Sequence, residues 1–226
     1  MAKTIITLGR EYCTGGRYIA KDVARALGIK LYDKELITMA AKNSGLSEEA
    51  VAASEKRHTH SLLYSLYTMG NDLPLGDQVF ILQSRIIKQL ADEGPCVIVG
   101  RCANFILKGR PNLFSVFLHA DRTTRMQRVI ENYGVEPGGA ARAMDIMDSR
   151  RRTHCLHYTG QELGNARLYD LCVNTSDYGL ERTVELILEA INTRTEQSSA
   201  VETVPVRSAS FPEPEEDRIP GEISLA

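Results

Sequence analysis

The sequence predicts an α/β fold: one sheet of about five parallel strands with helices on both faces. Three observations carry that expectation. Short, near-continuous apolar runs recur at 4–8, 96–99, 113–118 and 168–173, the pattern of strands buried on both faces of a parallel sheet. Stretches with apolar residues at helical spacing separate them, which is the alternation of βαβ units. Glycines and charged residues cluster just after the strands, at the edge where ligands lie on such sheets.

Taken in order, Thr4 to Leu8 is a β-branched, apolar run and reads as the first strand. It feeds Gly9-Arg10-Glu11-Tyr12-Cys13-Thr14-Gly15-Gly16-Arg17, a turn with two adjacent glycines. A helix over Tyr18–Leu27 follows, with Ile19, Val23 and Leu27 on one face and Ala20 and Ala24 beside them. Gly28 stands where a helix stop is expected. A strand, a glycine turn and a helix in succession aim backbone N–H groups and the positive end of a helix dipole at one point, which suits a phosphate. The lysine and the following hydroxyl of a phosphate loop are absent. An ordinary strand–turn–helix corner would use the glycines for the turn alone.

A short second strand, Leu31-Tyr32, ends in Asp33, which is placed to cap a helix to about Lys42. Asn43-Ser44-Gly45 breaks the chain, and Ser47 is placed to cap a further short helix. From Lys56 to Pro74 the pattern is poor, and His58 and His60 read as loop residues. A helix over Asp77–Asp92 turns Val79, Leu82, Ile86 and Leu90 to one side, and Gly94-Pro95 stops it. Strand 96–99 then runs into Gly100-Arg101. Beyond strand 113–118, Asp121 is placed to cap a helix carrying Met126, Val129, Ile130 and Tyr133. Residues 134–139 read as a loop, Ala140–His157 as a long helix with Arg142, Arg150, Arg151 and Arg152, and Gly179–Arg194 as the last helix.

From Thr195 the composition changes. The tail, 195–226, holds four of the eight prolines and a net charge of −5, and it lacks periodicity, so it is expected to be disordered. Residues 1–194 then carry a net +3 within a chain total of −2, which points to neither nucleic acid nor a membrane surface. No apolar run approaches the roughly 20 residues of a membrane helix. Met1-Ala2-Lys3 leads straight into a strand without a signal-peptide core, so the expected location is the cytoplasm. Five scattered cysteines (Cys13, Cys96, Cys102, Cys155, Cys172) suit free thiols in a reducing compartment. His154, Cys155 and His157 lie close together, but nothing nearby completes a tetrahedral metal set.

The order of features resembles the cytidylate kinase-like family, a divergent nucleoside monophosphate kinase branch of the P-loop NTPases. The matching stretches are Ile6 to Tyr12 with Thr14 to Ala20, then Tyr32-Asp33-Lys34-Glu35-Leu36-Ile37. Val97 to Ala103, Asp148-Ser149-Arg150-Arg151 and Tyr169 to Ser176 complete the series. The resemblance implies a three-layer P-loop sandwich with an acceptor-nucleotide subdomain at about 33–77 and a lid at about 134–163. It implies transfer of the ATP γ-phosphoryl group, with Mg²⁺, to a nucleoside monophosphate, most naturally CMP or dCMP. The remaining alternatives are a nucleotide-binding or regulatory module without catalysis, and a kinase for another small phosphate acceptor.

In those roles the backbone of Thr14, Gly15, Gly16, Arg17 and Tyr18 would cradle the donor phosphates, and Arg17 would replace the missing lysine. Arg101 would hold the acceptor phosphate, and Arg150 and Arg151 would close over the transferring group. Asp33 would help hold Mg²⁺ or orient the acceptor, and Asp148 would aim Arg151 within the substrate site. Each has a plainer reading: a helix cap for Asp33, a solvated face for Arg150–Arg152, a buried ion pair for Arg101, a local salt bridge for Asp148. The chain also departs from typical cytidylate kinases. Gly16 holds the lysine position, Tyr18 the hydroxyl position, Cys102 that of an aspartate and Met144 that of an arginine. Thr38 and Met39 stand where an acceptor-site arginine is expected. The metal ligands are left unassigned, as is the oligomeric state.

Overall fold

The computed structural model describes residues 4–33 and 74–201. Strand β1 (Ile5–Arg10) leads to helix α1 (Gly16–Leu27) and strand β2 (Lys30–Tyr32). Helix α2 (Leu75–Glu93), strand β3 (Cys96–Val99) and the short helix α3 (Ala103–Ile106) come next. The chain continues through β4 (Leu113–His119), α4 (Arg122–Tyr133), α5 (Pro137–Thr159), a 3₁₀ turn (Ala166–Leu168), β5 (Leu171–Asn174) and α6 (Thr175–Val201). All strand pairs are parallel, in the order β2-β3-β1-β4-β5. β1 therefore lies at the centre, with Ile5 opposite Cys96 on one side and Leu113 on the other.

The two-residue period of a strand sends alternate side chains to opposite layers. Ile5 and Ile98 face Val79, Ile86, Ile87 and Leu90 of α2. Ile6, Leu8, Val97 and Val99 face Ile19, Ala20 and Val23 of α1 and Ile187 of α6. This double burial is why the strands read as unbroken apolar runs rather than alternating ones. Full burial of a side chain such as Ile19 (0% exposed) stabilises the fold by about 1.5–3 kcal/mol. A smaller cluster of Cys13, Val129 and Ala140 ties the loop after β1 to α4 and α5.

Several boundaries differ from expectation. Helix α5 begins at Pro137, not Ala140, because proline is tolerated in the first helical turn, where no intrahelical N–H bond is lost. Residues 166–168 form a 3₁₀ turn in which the Asn165 side chain accepts from Arg167 N–H, so β5 starts only at Leu171. Helix α6 starts at Thr175, bends where Gly179 leaves helical geometry, and runs to Val201. It thus continues into the segment expected to be structureless from 195, since neither glycine nor proline occurs there before Pro205. The chain divides into a unit of Met1–Ile191 and a second of Asn192–Ala226. The helices expected after Asp33 and Ser47, the loop with His58 and His60, most of 33–77 and the tail beyond 201 lie outside the described residues. Among the described residues no helix is long and apolar enough to cross a membrane.

Candidate active site

Everything of chemical interest gathers at the carboxyl edge of the sheet. The loop between β1 and α1 turns at Cys13 (φ 61°) and Gly15 (φ 81°), both left-handed. A Cβ on Gly15 would stand 2.3 Å from Leu180 Cδ2, so only glycine fits there without movement. The loop's carbonyls are bound from the protein side, one after another. Arg151 Nη1 donates to the Arg10 carbonyl (3.2 Å) and the Thr14 hydroxyl to that of Glu11 (3.1 Å). Arg125 Nη1 reaches the Tyr12 carbonyl and Arg128 Nη1 that of Cys13, both at 3.4 Å. The Thr175 hydroxyl donates to the Thr14 carbonyl (3.0 Å). A loop whose acceptors are consumed in this way is held rigidly where it enters α1, whose first turn closes on the Gly15 carbonyl through Tyr18 and Ile19 N–H.

Arg125 and Asp148 are the keystones of that support. Both are buried, and Arg125 Nη1 donates a short hydrogen bond to Asp148 Oδ2. The other Asp148 oxygen accepts from Tyr12 N–H at 2.7 Å. Glu11 lies 3.6 Å from Arg125 Nε. Asp148 hydrogen-bonds Arg125, twenty-three residues away on α4, and its charge also acts on Arg151, which it raises. Asp148 also borders a smaller cleft of about 370 Å³, with Glu11, His119 and Arg152, rather than the main one.

The main cleft, about 520 Å³, opens over β1 and β3. Its floor is Thr7 to Arg10 and its far wall Gly100 to Cys102 with Asn104; α5 covers it with Met147, Arg150, Arg151 and His154. Among the described residues four arginines (Arg10, Arg101, Arg150, Arg151) line it, and no carboxylate does. Gly100, Arg101 and Cys102 form three successive left-handed residues, φ 74°, 58° and 54°. Two of them carry side chains, a strained arrangement costing of order 1–3 kcal/mol each. Burial, then Arg151, push the Arg10 guanidinium down to about 9; Arg101 and Arg17 act in the same direction, against Asp33. Burial also lowers Arg151, whose guanidinium carbon sits 5.5 Å over the Tyr12 ring. Cys102 and Cys155 both line the cleft, and their mutual influence lowers Cys155 and raises Cys102. All five cysteines are free thiols.

The sequence-predicted residues thus fall into three groups. Arg101, Arg150 and Arg151 meet in the cleft as expected. Arg17 and Asp33 stand beside it, joined by a 2.7 Å ion pair, with Arg10 Nη2 3.8 Å from the other Asp33 oxygen. Thr14 is buried with its hydroxyl turned into the loop, whereas Tyr18 is 55% exposed at the start of α1. Met144 is fully buried, so an arginine there would find no solvent-facing room. His157 approaches Asp77, and Tyr158 stacks on Phe80 with ring centroids 4.1 Å apart, which pins the end of α5 to α2. Sequence reasoning missed Arg10, Arg125, Arg128 and Thr175. Arg10 had a legible signal, since it follows a buried strand just as Arg101 does.

Comparisons with known proteins bear on this geometry. Residues 5–177 match the model of the cytidylate kinase-like family. A cytidylate kinase of Thermoplasma volcanium is 23% identical over 189 residues, spanning 83% of this chain and 90% of that protein. Among solved structures, an uncharacterized protein from Eubacterium ventriosum superposes with a TM-score of 0.66 at 29% identity, over 84% of this chain and 98% of its own. A gluconokinase from Sinorhizobium meliloti superposes at 0.52 with 14% identity, over 89% and 98%, which bears on the fold alone. The parallel sheet is the three-layer sandwich of the P-loop kinases. With the family's pattern matched over nearly all of the described residues, from the first strand through the fifth, the chain belongs to the cytidylate kinase-like family.

Proposed function

We propose that the chain is a nucleotide kinase that moves the γ-phosphoryl group of ATP to a nucleoside monophosphate, with CMP or dCMP the first acceptor to test. The observation that carries this reading is the cleft lined by four arginines, and by no carboxylate among the described residues, beside the glycine turn of a P-loop kinase sheet. Phosphoryl transfer asks a protein for position and for charge around an electron-rich transition state, not for covalent chemistry. In this reading the turn from Thr14 to Tyr18 receives the donor phosphates at the α1 N-terminus, with Arg17 at its rim. Arg101 takes the acceptor phosphate, and its strained backbone supports a placement held for function. Arg151 covers the transferring group from α5, and the exposed Arg150 stands at the rim, where its charge helps draw the phosphates in. Asp148 acts on the loop through Tyr12 and Arg125 and does not touch substrate.

Among the described residues, magnesium fits the protein side poorly. Asp33 is bound to Arg17 at 2.7 Å, and Thr14 is 1% exposed. Neither is offered to a dication, so in this reading the metal enters as the counter-ion of ATP's own phosphates, which suits its reluctance to shed water. A cytoplasmic location accompanies the substrates assigned here. The test is a panel of nucleoside monophosphates with ATP and Mg²⁺, scored by diphosphate formation. CMP or dCMP turnover supports the reading; no turnover with any acceptor, from protein that ATP stabilises thermally, replaces it with a nucleotide-binding module.

A further inference from the structure

We propose that Arg10 is a phosphate-binding residue of the main cleft, its guanidinium supplying the charge that the glycine at position 16 cannot. The proposal rests on the reading of this cleft as a phosphate site and adds a residue to it. Arg10 ends the central strand, opposite Leu118 of β4, and its carbonyl is held by Arg151. Its position is therefore fixed by the sheet. The stem lies against the start of α1: a Cβ on Gly16 would stand 3.2 Å from Arg10 Cγ. The head lies over the opposite wall, where a Cβ on Gly100 would stand 2.0 Å from Nη1. Two glycines, one on each side, thus clear the space that this one side chain occupies. A larger residue at 16 would crowd the stem, so the missing lysine and Arg10 are two halves of one replacement.

The charge around Arg10 asks for an anion. Among the described residues Arg17, Arg101 and Arg151 repel it and Asp33 opposes them, at 3.8 Å, while that carboxylate is itself held by Arg17 at 2.7 Å. Arg125, by contrast, is matched by Asp148 and Glu11. A multiply charged oxyanion answers this charge, because the guanidinium fork matches two phosphate oxygens.

Binding of inorganic pyrophosphate and of ATP, measured by calorimetry, tests the assignment apart from turnover. Arg10→Gln is expected to weaken pyrophosphate binding about tenfold or more, the usual scale for a lost charge-assisted bond. Arg10→Lys should recover part of that loss, and adenosine, which has no phosphate, should bind both variants as it binds wild type. The same chain without substitutions gives a second readout: pyrophosphate should shield Arg10 from phenylglyoxal, mapped by mass spectrometry. Undiminished pyrophosphate binding by Arg10→Gln, or unshielded modification of Arg10, overturns the proposal. Arg10-dependent pyrophosphate binding in a protein that phosphorylates no nucleoside monophosphate upholds it while overturning the kinase reading.

Discussion

Two groups of arginines flank the loop after β1, and they are built on opposite principles. On the α4 side, Arg125 is matched by Asp148 and Glu11, and Arg128 by the Thr175 hydroxyl (2.9 Å) and carbonyl (3.0 Å). On the β3 side, Arg10, Arg101, Arg150 and Arg151 line a cleft to which no carboxylate contributes among the described residues, with Asp33 at its margin. The first group is tied into the protein behind the loop; the second gathers positive charge around an open space. Composition does not separate them, because the same residue type serves both. What separates them is whether the guanidiniums face packed protein or a cleft, and that is decided by long-range packing.

The sharpest way to break the contrast is Arg125→Ala. It strands Asp148, which is 6% exposed, and removes a donor from the Tyr12 carbonyl. Removing one partner of a buried pair commonly costs about 3–5 kcal/mol, a large share of a domain's stability. Denaturant unfolding is expected to show a loss of that size. Arg151→Ala, on the ligand side, should lose less stability while weakening nucleotide binding. Equal losses of stability would dissolve the distinction between the two groups.

Gly100→Ala comes next. The left-handed φ of 74° makes alanine strained there, and the new Cβ would displace the Arg10 head. A stability loss of order 1–3 kcal/mol is expected, together with weaker pyrophosphate binding, since the guanidinium can swing aside only by leaving the cleft. A variant that loses stability and keeps full affinity would place the phosphate elsewhere.

Much of this architecture was legible beforehand. The continuous apolar runs located β1, β3 and β4 to within a residue or two because double burial leaves no polar face to confuse the pattern. The place of Arg101, Arg150 and Arg151 at the cleft was legible from their position after a strand or on a helix reaching the edge. The support behind the loop was not. Arg125 meets Tyr12 across 113 positions, and Arg128 meets Cys13 across 115, so no local spacing announces either. A weak signal existed: Arg125 stands four residues before the buried Val129, on the same face of α4. Asp121 occupies the expected cap position but makes no side-chain cap bond. Its oxygen faces Asn174 at 3.5 Å, and its N–H donates to the Ser176 hydroxyl at 2.7 Å. Propensity placed the residue, and tertiary contacts chose its partner.

A subtler test uses protons. Arg10 falls to about 9 in the folded chain from an unfolded value of 12.5, so the folded state releases this proton first. Its effect on stability is unfavourable below about 9 and is relieved as pH rises from there toward 12.5. A bound phosphate reverses the sign, because it favours the charged guanidinium. ATP affinity should therefore fall as pH rises through about 9, by at most about tenfold per unit, and less steeply in Arg10→Gln. Cys155 is lowered and Cys102 and Tyr169 are raised, away from that window, while Arg151, also lowered by burial, accounts for the fall that Arg10→Gln retains.

The smallest expected effect belongs to Arg150→Ala. Arg150 is exposed on α5, with Met147 Sδ 3.9 Å from Nη1, so its removal should leave stability within about 0.5 kcal/mol. As a solvated charge at the rim it contributes chiefly to the field that draws an anion in, which salt screens over roughly 10 Å at 0.1 M. The variant should bind ATP more slowly at low salt and converge on wild type as salt is raised, with a dissociation rate little changed. If instead the dissociation rate rises at every salt concentration, Arg150 makes a desolvated contact with the phosphates. The rim of the cleft would then belong to the closed, ligand-bound site and not to its approach.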